Sequence, residues 1–329
     1  MDNIICVNKN SAVFYMAVCM APPHSFITLG FQTEDENIAL VDIGKAFPRK
    51  NRGKHSEFYN ILMMLFSELD AMIDNENIFL NGREDNVYRR LNYSAYEVSY
   101  NNYLEFLSLL KSINPNIHAY IPYLEKKDNI TFKYASLSDY TPVAIHAAPE
   151  VDHLKEKKDK LSYKNNCRHA ALDMAHFNLP KNTDTSLSLP TFYNKPFACN
   201  AIVYNAKFIQ PLYILPAPPT AFPSLDKDKL IIMMMLYQRM EQIIRLDQDS
   251  IDTQQKFAGI RTLYTNETGT ISRPLNQLIS AIMEWSSINQ TLVDKHRGFH
   301  FFFQSTATRK MIHRIEKEYS NKVEKTMKP

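Results

Sequence analysis

The N-terminal part of the chain alternates between apolar runs and short polar breaks, a pattern typical of β-strands. A continuous apolar run covers residues 12–18, a partly alternating run covers 25–31, and a third covers 37–44 after a polar turn. Because only this turn separates the second run from the third, residues 25–43 are predicted to form a β-hairpin. Further short strands are predicted at 117–123, 130–134, 201–204 and 212–215.

Amphipathic helices are predicted at 55–73 and 102–113, where apolar residues recur every three or four positions. The dipeptide Asn81-Gly82 between them marks a tight turn, because both residue types tolerate a positive φ. A further helix is predicted to begin at Asn165-Asn166 and to end at Pro180, since Asn is a favoured N-cap residue and proline stops a helix.

A proline-rich stretch at 216–223 separates this mixed region from one that is helical throughout. We therefore predict an α+β domain at 1–220 and a helical domain at 225–329, in a chain of 329 residues that can bury a substantial core. The predicted helices of the second domain lie at 226–246, 251–264, 274–289 and 307–325.

The composition argues against several classes of protein. There are only seven glycines, and neither G-x-G-x-x-G nor G-x-x-x-x-G-K-[ST] occurs, which disfavours nucleotide chemistry. The formal net charge of +3 comes from interspersed signs, so no nucleic-acid partner is expected. The apolar run at 11–23 is too short to span a bilayer and lacks the basic flank of a secretory signal. We expect no integral membrane segment, and a location in the cytoplasm or, by a signal-peptide-independent system, in a host cell.

The cysteines form no C-x-x-C pair and no metal-ligand spacing, so we expect no metal and no cofactor. Cys167 stands apart because it lies at about the first position of a predicted helix. There the macrodipole and free backbone N–H groups stabilise a thiolate, and the same groups can receive an oxyanion. Cys167 is the predicted nucleophile, with Asn165 or Asn166 as helix cap or additional oxyanion donor. The other three are interpreted as core residues: Cys6, Cys19 and Cys199.

The predicted general base is His24, at the start of a strand, where a rigid backbone can aim an imidazole. Asp42 lies in the partner strand of the hairpin and is the candidate to orient that imidazole from its other nitrogen, by position rather than by motif. His169 lies about 200° around the helix from the nucleophile and is interpreted as structural. His118 and His146 remain alternative bases.

Two segments, Pro23 to Gly30 and Leu161 to Ala170, resemble the circularly permuted papain-like (NlpC/P60-type) superfamily, which includes the PPPDE peptidases and the lecithin:retinol acyltransferase-like proteins. In that group the His-bearing strand precedes the Cys-bearing helix, and the Cys often stands in an N-C-x-H context, as Asn166-Cys167-Arg168-His169 does here. The resemblance, which covers about residues 1–220, implies an antiparallel sheet with the Cys-bearing helix packed on it.

The resemblance also implies thiol-dependent acyl chemistry on an amide, isopeptide or ester bond of a protein or peptide, as in a cysteine protease, deamidase, acyltransferase or transglutaminase. The chain further resembles secreted virulence effectors of intracellular bacteria such as Legionella. A lone Cys at a helix start is more often a small buried residue than a nucleophile. The alternative is therefore a non-catalytic effector whose papain-like scaffold and helical tail dock a partner, such as a host protein. A lipid-facing acyltransferase would need a longer apolar anchor than the sequence contains.

Overall fold

The computed structural model describes residues 4–21, 24–48, 63–76, 88–146, 148–179, 185, 187, 196–204, 207–270, 272–295 and 305–326. The architecture is α+β. The chain divides into two compact units, the first comprising Met1–Pro180 with Ser186–Ile214 and the second Lys181–Thr185 with Leu215–Pro329.

The first unit is built on a large antiparallel sheet with the strand order β12-β11-β7-β2-β3-β4-β6. A second sheet has the order β1-β9-β8, and β10 pairs with β5. The strands are β1 (Ile4–Asn8), β2 (Val13–Ala21), β3 (His24–Gln32), β4 (Asn37–Ala46), β5 (Leu69–Asp70), β6 (Met72–Asn75), β7 (Arg89–Glu97), β8 (His118–Lys126), β9 (Asn129–Ser136), β10 (Lys160–Leu161), β11 (Cys199–Tyr204), β12 (Lys207–Phe208) and β13 (Ile214–Leu215).

The centre of the large sheet is buried, which explains the continuous apolar runs in its strands. The predicted hairpin is confirmed, because β3 pairs with β4 in antiparallel register with Thr28 opposite Asp42. A β-bulge interrupts this pairing: Leu29 faces Val41 but Gly30 faces Ala39, so Leu40 is the extra residue.

In the part of the first unit that the structure describes, the longer helices are α1 (Tyr100–Ile113), α2 (Ala148–Lys157) and α3 (Cys167–Asn178). Helix α1 begins at Ser99, whose side chain forms a capping box with Asn102. Helix α3 is short, with small and apolar residues on its buried side, and it packs against β2, β3 and β4. This packing places the start of α3 at one end of the central strands.

The second unit is helical, with α4 (Lys227–Ile244), α5 (Ile251–Thr268), α6 (Leu275–Ile288), α7 (Gln290–Asp294) and α8 (Ala307–Thr326). Buried aromatic and aliphatic side chains hold it together, such as Tyr237 and Tyr264, whose ring centroids are 5.8 Å apart. Lys256 is also buried, and its ammonium donates to the carbonyl oxygens of Val293 (3.4 Å) and Lys295 (2.8 Å). Across the described ranges, no helix combines the length and apolar character needed to cross a membrane.

The helix predicted at 55–73 is wrong at its C-terminal end. Residues 63–66 are helical, but Leu69–Asp70 and Met72–Asn75 are the strands β5 and β6. The reason is tertiary: β6 pairs with β4, with Ile73 opposite Lys45, and this pairing overrides the local helical spacing. Residues 55–62 and the predicted turn at Asn81-Gly82 lie outside the described residues.

Candidate catalytic site

Cys167 is the first residue of α3, and the sequence before it explains why the helix begins there. Asn166 is the N-cap: its side-chain oxygen accepts from the backbone N–H of Arg168 (3.0 Å) and of His169 (3.2 Å). These bonds use the second and third N–H groups of the helix. The N–H of Cys167 itself is not among the bonds of this cap.

The structure brings Cys167 and His24 together. The thiol at the start of α3 lies close enough to the imidazole at the start of β3 for each group to shift the pKa of the other, and the backbone amides of Ser25 and Arg168 also lower the pKa of the thiol. An imidazole and backbone amides close to a sulfur atom favour its thiolate form.

Glu76 holds the other side of the imidazole. Its Oε1 lies 2.6 Å from Nε2 of His24, so the carboxylate occupies one of the two ring nitrogens. Glu76 follows directly after β6, and its backbone N–H donates to the carbonyl oxygen of Asp42 at 2.8 Å, which fixes the end of the strand. Cys167, His24 and Glu76 therefore follow one another in the order thiol, imidazole, carboxylate, which is the order of groups in a catalytic triad.

Gly44 makes room for this carboxylate. A Cβ atom at this position would lie 1.9 Å from Oε1 of Glu76 and 2.8 Å from Nε2 of His24. Any side chain on Gly44 would occupy the space in which the two groups meet. The strand residue between the carboxylate and the imidazole is thus a glycine for a steric reason.

The electrostatics of the pair favour an ion pair. Burial lowers the pKa of His24, but its hydrogen bonds to Cys167 and to Glu76 outweigh burial and raise the pKa to about 10. Burial raises the pKa of the Cys167 thiol, but the hydrogen bond and positive charge of His24 outweigh it, so this pKa lies below its ordinary value. Both pKa shifts favour the thiolate–imidazolium form of the pair over the neutral form.

The expectation that Asp42 orients the imidazole is corrected, because Glu76 makes that contact. Asp42 is fully buried, and its Oδ1 accepts from the hydroxyl of Thr28, its cross-strand partner, at 3.0 Å. The register places it two residues beyond Gly44, away from the end of the sheet where His24 lies. Sequence reasoning missed Glu76 because the apolar spacing before it favours a helix. The strand β6 has the sequence Met72-Ile73-Asp74-Asn75, so no apolar run marked a strand end at this place.

The two asparagines before Cys167 differ in role. Asn166 is the predicted helix cap. Asn165 is not a cap, and the expectation that it donates to an oxyanion is also corrected. Its Oδ1 accepts from Nζ of Lys45 at 2.6 Å, and its Nδ2 donates to the carbonyl oxygens of Lys157 (3.1 Å) and Lys160 (2.9 Å). Both ends of this amide are engaged in holding the segment that leads into α3.

The remaining histidines have other partners. Nδ1 of His169 lies 2.9 Å from Oδ1 of Asn166, which agrees with the structural interpretation of this residue. Nδ1 of His118 lies 3.1 Å from the carbonyl oxygen of Asn116, and Nδ1 of His146 lies 2.6 Å from Oε1 of Glu105. The alternative bases thus contact other residues, whereas His24 contacts the thiol.

The other cysteines differ from Cys167 in their surroundings. Cys19 and Cys199 are buried, and burial raises the pKa of Cys19 far above its ordinary value. Cys6 is exposed rather than part of the core, and its sulfur lies 3.3 Å from Oγ1 of Thr131. Within the residues that the structure describes, no group of three or more His, Cys, Asp or Glu side chains is arranged to hold a metal ion.

No protein-family model, no curated protein sequence and no solved structure matches this chain.

Proposed function

We propose that this chain is a papain-like thiol enzyme with a circularly permuted order of its catalytic elements. In this proposal Cys167 attacks an amide, isopeptide or ester carbonyl of a protein or peptide, and His24 transfers the protons. The observation that carries the proposal is the chain of contacts from the Cys167 thiol through His24 to Glu76, at the start of a capped helix.

The proposed reaction has two stages, the formation of a thioester on Cys167 and its breakdown. The thiolate of Cys167 attacks the carbonyl carbon, and the electron pair of the C=O bond moves to the oxygen, which the N–H of Cys167 receives. As the oxyanion collapses, the bond to the leaving amine or alcohol breaks and the His24 imidazolium protonates that group, leaving a thioester. Water or an acceptor amine then attacks the thioester, gives its proton to His24, and releases the thiolate.

The architecture supports the permuted papain-like assignment in two ways. The strand that begins with His24 precedes the helix that begins with Cys167 in the chain, and that helix packs on the antiparallel strands β2, β3 and β4. Glu76 supplies a third polar group from a further strand end. This geometry serves hydrolysis and transfer equally well, so the proposal covers proteases, deamidases and acyl or transglutaminyl transferases.

The chemistry requires a reduced thiol. This fits a protein that acts in the cytoplasm of its own cell, or in a host cell into which it is secreted as an effector.

Alkylation of the native protein tests the proposal. Iodoacetamide near neutral pH should modify Cys167 faster than Cys6, which is an exposed thiol in the same chain and serves as an internal control. His24→Ala should abolish this selectivity, because the imidazolium that stabilises the thiolate is lost.

The proposal would be wrong if Cys167 reacted no faster than Cys6 at any accessible pH. In that case the thiol is a structural residue, and the non-catalytic binding protein becomes the better interpretation. Loss of selectivity in His24→Ala with retained folding, checked by circular dichroism, separates loss of the ion pair from loss of structure.

A further inference from the structure

Lys45 is a buried lysine on β4, and its ammonium group has three oxygen acceptors. It is only 1% exposed. Its Nζ lies 2.6 Å from the carbonyl oxygen of Lys157, 2.6 Å from Oδ1 of Asn165 and 3.5 Å from the carbonyl oxygen of Asn165. An ammonium group has three N–H donors, so each donor has one acceptor. Both acceptor residues belong to the segment 157–166, which leads directly into α3.

Asn165 extends this contact into a clamp. Its amide nitrogen donates to the carbonyl oxygens of Lys157 and Lys160, and its side-chain oxygen accepts from Lys45. These hydrogen bonds among Lys45, Asn165, Lys157 and Lys160 are called the clamp. Because Asn165 is two residues before Cys167, the clamp fixes the start of α3 against β4.

The residue before Lys45 completes the arrangement. Gly44 faces the opposite side of the strand, where it admits the carboxylate of Glu76 beside His24. Two adjacent residues of β4 therefore contact both parts of the candidate site. Gly44 lies beside His24 and Glu76, and Lys45 binds the segment that leads to Cys167.

We propose that Lys45 is a positioning residue for Cys167. By clamping the segment 157–166, it holds the thiol within hydrogen-bond reach of His24, and it places a fixed positive charge near the thiolate. This inference rests on the proposed function and deepens it, since it assigns the alignment of the nucleophile to a residue outside the catalytic chain of contacts.

The protonation of Lys45 adds a pH dependence. Burial lowers the pKa of this lysine to about 8. A neutral amine has only two N–H donors, so above this pH one contact of the clamp is lost together with the positive charge. The thiolate should lose stabilisation there, before His24 gives up its proton near pH 10. The charged groups that act on Lys45 are Asp173, Asp159 and Cys167, which raise its pKa, and Lys157, which lowers it.

The experiment compares Lys45→Met with Lys155→Met, which removes an exposed lysine from the same region and is the matched control. The measurement is the alkylation rate of Cys167 by iodoacetamide from about pH 5 to about pH 10, followed by peptide mass. We expect Lys45→Met to move the titration of Cys167 to higher pH by about one unit, which is a tenfold lower rate on the acid side. It should also remove an inflection near pH 8 that the wild type and Lys155→Met share.

The outcomes separate this inference from the proposed function. Identical profiles for Lys45→Met and Lys155→Met overturn the role of Lys45 and leave Cys167 as the nucleophile. A wild-type Cys167 that is unreactive throughout overturns the proposed function itself. If circular dichroism shows that Lys45→Met does not fold, Asn165→Ser replaces it: this variant removes the Oδ1 acceptor of the clamp and should give the same upward shift. A wild-type profile in folded Asn165→Ser would overturn the inference.

Discussion

Gly44→Ala is the smallest change that should separate the carboxylate from the imidazole. The new Cβ would lie 1.9 Å from Oε1 of Glu76, so this oxygen must retreat by about 1.5 Å to reach ordinary van der Waals contact. The hydrogen bond to Nε2 of His24 is now 2.6 Å long, and a retreat of that size takes it to about 4 Å, beyond hydrogen-bonding distance. The backbone of Gly44 does not occupy the left-handed region, so the cost of alanine is steric.

The expected result is a lower pKa for His24. A hydrogen bond to a charged group contributes about 1.5–3 kcal/mol, and one pKa unit corresponds to about 1.4 kcal/mol. Because Glu76 stabilises the protonated imidazole, its withdrawal should lower the pKa of His24 from about 10 by about one to two units. The imidazolium that protonates the leaving group is then lost at lower pH, and turnover should decline there.

An NMR titration of the His24 ring protons measures this shift directly. Gly269→Ala is the control, since its Cβ would lie 3.4 Å from the nearest atom, the carbonyl oxygen of Thr265, and far along the chain from the site. Glu76→Gln should reproduce the shift, and the double variant Gly44→Ala/Glu76→Gln should add little to it. An imidazole that titrates as in the wild type in folded Gly44→Ala would refute the steric reasoning.

Three further changes test other parts of the structure. Asp42→Asn should leave the NMR titration of His24 unchanged, because Asp42 contacts Thr28 instead; a downward shift like that of Glu76→Gln would restore Asp42 as the orienting group. Asn166→Ala should lower the free energy of unfolding by about 1 kcal/mol in urea, because two N–H groups of α3 lose their acceptor, and an unchanged midpoint would contradict the cap. Lys256→Met should cost about 1–3 kcal/mol in the same assay, since the carbonyl oxygen of Lys295 loses its donor and that of Val293 keeps only the hydroxyl of Thr306; full stability would show that the Lys295 oxygen finds another donor.

The positions of Cys167 at a helix start and of His24 at a strand start could be predicted from the sequence, because both depend on local signals. Asn166 caps the helix at the expected place, and this fixes the environment of Cys167 within a few residues. The position of His24 at a strand start follows from the apolar run that forms β3. Their mutual contact is a long-range feature, and it was the resemblance to a permuted superfamily, rather than any local pattern, that connected them.

Glu76 and Lys45 could not be predicted, for two different physical reasons. The strand that precedes Glu76 exists because β6 pairs with β4, whereas the apolar spacing of this region favours a helix. A lysine at the end of an apolar run is normally exposed, and the burial of Lys45 becomes tolerable only because a distant segment supplies three oxygen acceptors. For Asp42 the error was the opposite. Its place in the hairpin suggested a contact with His24, but the register of β3 and β4 places it opposite Thr28.

The bulge at Leu40 determines which changes of length the hairpin can absorb. Gly44 and Lys45 must face opposite sides of β4, and a shift of one residue exchanges the two sides of a strand. Deleting Asp42 would therefore turn Lys45 toward His24 and Gly44 toward the segment 157–166. Deleting Leu40 would remove a buried side chain, but it would leave 41–46 in register, because Leu40 has no partner in the pairing of β3 with β4. In sequences that evolve from this one, single-residue deletions in β4 are therefore expected at Leu40.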